Sequence, residues 1–153
     1  MTMSLALAVH MLAAVVWVGG MFFAYMALRP AAASLAPAER LPLWRRSFGL
    51  FFPWVWAAIL ALLLSGYWIV FAEWGGFAGA GMHVHVMQGL GLLMMLLFLH
   101  LWFAPYKRLQ QALDSARMEE AGKQLGRIRF IVGTNLILGL VVVAVAALGR
   151  GWR

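Results

Sequence analysis

There is no cysteine in this chain, and only five of its 153 residues are acidic. The first absence excludes disulfides, thiolate metal sites and iron–sulfur clusters. The second reaches further. Glu39, Glu73, Asp114, Glu119 and Glu120 all fall outside the long apolar runs, so no proton relay through membrane-embedded carboxylates is expected. Charge of either sign is scarce, at 11% against about a quarter in a soluble globule. There is no glycine-rich nucleotide loop. Ser65 and Thr134 have no evident base partner for nucleophilic catalysis.

What fills the chain is apolar: 65% of residues are hydrophobic. Four runs, about 4–28, 50–72, 82–104 and 129–149, reach the roughly 20 residues that a membrane-crossing helix needs. Lipid cannot satisfy open backbone groups, so each run is expected to be helical. The predicted fold is all-α: an integral membrane four-helix bundle forming one transmembrane domain over 1–153. The first run has no basic region before it and is too long for a signal-peptide core, so it reads as a span.

The formal charge of +7 does not point to nucleic acid, because the basic residues sit between spans. Arg29, Arg40, Arg45 and Arg46 follow the first span, and Lys107, Arg108, Arg117, Lys123, Arg127 and Arg129 follow the third. The middle turn, with Glu73, Gly75, Gly76, Gly79 and Gly81, has no basic residue. Positive loops stay cytoplasmic, which predicts both termini outside, in a multi-pass protein of the bacterial inner (plasma) membrane. Arg150 and Arg153 count against that orientation but are outnumbered.

Residues 38–49 and 106–128 mix apolar and charged positions in a helical rhythm. They predict an interfacial helix in the first cytoplasmic loop and an extension of the third span. Trp17, Trp54, Trp56, Trp68, Trp74 and Trp102 read partly as an aromatic belt. Pro53 is expected in the first turn of the second span. Ala57, Ala61, Ser65, Gly89, Asn135 and Gly139 offer small or polar positions for close helix contact.

The histidines carry the functional signal, since ionisable groups inside a membrane are costly. His10 precedes Arg29 by a rise of about 28 Å, and His85 precedes Lys107 by about 33 Å. Both therefore lie just inside the external surface at matched depth. His83, two positions from His85, points elsewhere and reads most plainly as a solvated residue. His100, about 10 Å from the cytoplasmic edge, reads either as a helix-to-helix hydrogen bond or as a second site for metal or quinone. Below His10, Ala13, Ala14 and Trp17 outline an apolar slot. Gln88 and Gly89 stack under His85. A flat macrocycle clamped by His10 and His85 would fit such a slot, which predicts bis-imidazole haem b and electron transfer.

Copper competes with haem. Met82, His83, His85 and Met87 form a dense thioether and imidazole run at the external mouth, to which Met3 and Met11 could add. Thioether sulfur suits Cu(I), and imidazole suits copper in either state.

The run from His10 through Trp17 to Gly19 and Gly20 resembles the opening helix of the copper-resistance D family. It is also similar to that of the related membrane protoporphyrinogen oxidases. The third span, from His83-Val84-His85 to His100-Leu101-Trp102, resembles the third helix of those oxidases. The likeness implies a four-helix membrane bundle and, on the oxidase side, a b-type haem with His10 in the place of the first-helix histidine. His85 stands where the oxidases carry lysine, so haem binding is implied and porphyrinogen oxidation is not. The copper-resistance likeness implies copper uptake or tolerance.

The leading expectation is a haem b redox protein, an electron carrier or a membrane oxidoreductase, with His10 and His85 as ligands and Trp17, Gln88 and Gly89 shaping the pocket. The alternative is copper binding or transport. A third is a structural subunit of a larger assembly. Expected partners are the lipid bilayer, a quinone or periplasmic redox protein, and a second copy of the chain.

Overall fold

The computed structural model describes residues 2–149. Arg150 and Arg153, which entered the topology argument, lie outside them. Four helices account for most of the chain: α1 Met3–Ala32, α2 Pro37–Trp74, α3 Met82–Asp114 and α4 Met118–Leu148. Each is long and apolar enough to cross a membrane, so the chain is a multi-pass membrane protein. One end of the bundle carries the basic connections. The other carries the start of α1, the end of α4 and the glycine turn.

The helix boundaries follow local chemistry. Thr2 Oγ1 accepts from the Leu5 amide and caps α1. Gly75, in the left-handed region at φ 65°, ends α2 by donating its N–H to the Val70 carbonyl. Wide π turns at Ala24–Leu28 and Trp102–Tyr106 lie just before Pro30 and across Pro105. Proline removes a rung from the hydrogen-bond ladder, and a π turn absorbs the mismatch.

Two expectations about α2 are corrected. Residues 38–49 form no separate interfacial helix, because α2 runs unbroken for 38 residues. That is about 57 Å of helix against a hydrocarbon core of roughly 30 Å, so the helix is longer than one perpendicular crossing needs. Pro53 therefore lies inside the helix instead of in its first turn. The extension of the third span is present as far as Asp114, and a turn through Ala116 then leads directly into α4.

Helices α1 and α2 lie side by side, as do α3 and α4, and α4 also touches both α1 and α2. Small residues allow the close approaches. The Phe51 ring lies on Gly20, and a Cβ on Gly139 would come within 2.9 Å of Val18. Asn135 Nδ2 donates to the Met94 carbonyl at 3.1 Å and ties α4 to α3. Asn135, Gly139 and Ser65 thus serve helix contact as expected. Gly89 and Ala57 do not: both are exposed, and nothing lies near the Gly89 backbone.

The basic half of the bundle has an aromatic core. Phe52 stacks on Phe48 at 5.0 Å and meets Phe98, Trp102 and Tyr106 edge-on at 5.4, 5.8 and 4.9 Å. The tryptophans divide. Trp17 is buried against Phe98, and Trp56 and Trp102 join the core cluster. Trp54 and Trp68 face outward as belt residues do.

Candidate metal centre

His10, in α1, turns toward α2. Its Nδ1 lies 2.9 Å from Ser65 Oγ, and a Cβ on Gly66 would come within 3.0 Å of its Cε1. Gly66 therefore leaves room for the ring. Ser65 donates its one proton to the Ala61 carbonyl, a turn back along α2. Its oxygen is then an acceptor, so His10 Nδ1–H is the donor. That tautomer leaves a lone pair on Nε2, the form in which imidazole binds metals. Ser65 thus has an imidazole neighbour that its sequence context did not reveal. It does not become a nucleophile, because its proton is not directed at that imidazole.

His83 is not a solvated residue. It is half-buried where the start of α3 meets the end of α4. A Cβ on Gly81 would come within 2.9 Å of its Nδ1, its side chain covers Gly149, and Trp74 meets it edge-on at 6.5 Å. The Nδ1 atom is buried with no hydrogen-bond partner among the described residues. A buried polar atom left without a partner costs roughly 1–3 kcal/mol, so this nitrogen calls for a ligand or a proton acceptor.

His85 lies on another face. It is exposed, and its ring leans beside Phe77 at 6.2 Å. Gln88 Nε2 donates to Tyr67 Oη at 2.8 Å and bridges α3 to α2. His10 and His85 therefore have different neighbours: Ser65 and Gly66 for one, Phe77 for the other. Trp17 packs on Phe98, and Gly89 faces outward, so neither borders a shared slot here. His100 is exposed in the basic half of α3.

The methionines complete the donor inventory. Met82 is 68% exposed, and Met87 is half-buried. Met11 is exposed beside His10 in sequence. On a helix, Met82 and His85 share one face at a spacing of three, and His83 and Met87 share another at a spacing of four. Each face pairs one thioether with one imidazole. Among the described residues, no group of three or more His, Asp or Glu could hold a metal ion. A metal at this end would meet mixed sulfur and nitrogen donors.

Sequence reasoning missed Gly66, Phe77 and Gly149 as neighbours of the histidines, and Tyr67 as the partner of Gln88. Only the positions of small residues hinted at them. A family model described as Copper resistance protein D matches residues 45–148. No curated protein and no solved structure matches the chain. The matched stretch takes in Ser65 and the whole run from Met82 to Met87, and it covers more than half of the sequence. The chain belongs to the copper resistance protein D family.

Proposed function

We propose that this protein binds copper at the glycine-turn end, facing the outside of a bacterial inner membrane, and serves copper uptake or tolerance. The orientation rests on the basic connections, which stay cytoplasmic. Met82 and His85 form the exposed capture pair. His83 and Met87 form a second pair turned toward α4. Soft thioether with imidazole suits Cu(I) and tolerates Cu(II). The observation that carries the reading is the buried Nδ1 of His83, without a partner among the described residues, on a helix that carries Met87 four positions on. Family membership supports it independently.

A Cu(I) competition titration on the purified protein tests the proposal. The double variant Met82→Leu/His85→Asn and the single variant His83→Ala should each weaken binding by about tenfold or more. Copper tolerance in cells should fall with His83→Ala and persist with His10→Ala. Wild-type affinity in all these variants would overturn the reading.

Haem b is the second reading. It is favoured by His10, whose hydrogen bond to Ser65 leaves Nε2 oriented as a ligand. A clamp with His85 requires both rings to turn toward a common gap, and their present neighbours differ. An absorption band in the Soret region, after expression with ample haem, would transfer the assignment to haem held through His10.

A further inference from the structure

At the opposite end, Arg29, Arg40 and Arg129 line one cleft of about 440 Å³, together with Tyr25, Met26 and Ala33. They come from α1, α2 and α4 and are far apart in sequence. The Nε atoms of Arg40 and Arg129 are buried with no hydrogen-bond partner. Aromatic rings set two of the guanidinium groups: Arg29 lies over Tyr25 at 4.7 Å and Arg129 over Trp44 at 5.5 Å.

The nearby carboxylates are engaged elsewhere. Asp114 pairs with Arg45 at 2.6 Å and Glu119 with Lys123 at 2.9 Å, and Glu120 accepts from Gln124 at 2.6 Å. Glu119 does line the adjoining cleft beside Arg40 and Arg129. Glu39 is exposed in the first turn of α2. Among the described residues, no ion pair joins the three arginines to a carboxylate. Three like charges, two of them with a buried donor that lacks a partner among the described residues, form an arrangement that an oxyanion would complete.

We propose that Arg29, Arg40 and Arg129 form a binding site for the phosphate of an anionic phospholipid. The planar guanidinium fork matches phosphate oxygens in a bidentate fashion, as lysine does not. Free phosphate offers the same chemistry, but the surroundings favour lipid. Phe22, Phe23 and Met26 of α1 and Phe130 of α4 are exposed on the elements that carry Arg29 and Arg129. They supply an apolar surface for acyl chains beside the cleft. Positive loops at a membrane face explain basic residues in general. They do not explain guanidinium nitrogens buried without partners.

The test uses the full chain, stripped of lipid in a neutral detergent. Native mass spectrometry counts bound phosphatidic acid against phosphatidylcholine, and thermal melting reads the protection. Phosphatidic acid should bind and raise the midpoint, and phosphatidylcholine should not. Arg40→Gln and Arg129→Gln should each weaken retention roughly tenfold, the loss expected for one charge-assisted contact. Arg40→Lys, which keeps the charge but loses the fork, should fall between. Arg108→Gln, at an exposed position, should match the wild type. Circular dichroism confirms that each variant keeps its helices. Equal retention by all variants would overturn the site. Protection by inorganic phosphate with none from lipid would overturn the lipid assignment.

Discussion

At the basic end, Phe52 is enclosed by Phe48, Phe98, Trp102 and Tyr106 and is almost wholly buried. At the glycine-turn end, Phe77 is only half-buried and meets Tyr67, Phe71 and His85 at 5.8 to 6.3 Å. The same side chain does different work in the two places. Interlocking rings fix the spacing of α1, α2 and α3 in one half. In the other half, no residue of α3 from Met82 to Leu93 is buried, and His83 Nδ1 has no hydrogen-bond partner among the described residues. Dense aromatic packing is thus confined to one half of the bundle.

The sharpest way to break this contrast is to remove both rings. Phe52→Ala should cost roughly 3 kcal/mol or more, because it empties a packed site. Phe77→Ala should cost less than about 1 kcal/mol, as a partly exposed position does. Melting curves in detergent compare the two, and equal losses would show that the halves do not differ. Next in size is the copper effect. Met82→Leu/His85→Asn should lower Cu(I) affinity by about tenfold or more and leave the melting midpoint of the metal-free protein in place.

Ser65→Ala should cost about 1 kcal/mol, because the ring N–H of His10 loses its buried acceptor. The same substitution should make the His10 ring mobile, as ring-nitrogen NMR of labelled protein would report. Unchanged ring signals would remove the claim that Ser65 sets the tautomer. The smallest effect is expected at the surface. Arg45→Gln breaks the pair with Asp114, whose carboxylate is largely exposed. It should cost well under about 1 kcal/mol and become silent in high salt.

The spans were legible because length and hydropathy alone define a membrane crossing. Which end of the bundle holds His10 and His85 was legible for a related reason: a helix rise converts residue count to distance. Their direction was not. A period of 3.6 fixes which residues share a face, but not which neighbour that face meets. Gln88 and Gly89 stack below His85 as expected, yet that stripe meets Tyr67 at one position and open space at the next. The continuity of α2 was hidden for another reason. Charged residues between 38 and 49 look like a surface helix, and nothing in their pattern records that they continue without a break into the second span. Ser65 stood out as a small residue, but its partner lies on another helix, 55 positions away.

Helix α2 carries Arg40 near one end and Trp74, the neighbour of His83, at the other. About 50 Å of continuous helix separates them. One arginine of the basic cleft and the aromatic neighbour of His83 are therefore mounted on one strut. Its hydrogen-bond ladder lacks rungs at Pro42 and Pro53, and any flexure gathers there. A load applied at either tip reaches the other by tilting that beam, with no loop in between to dissipate it.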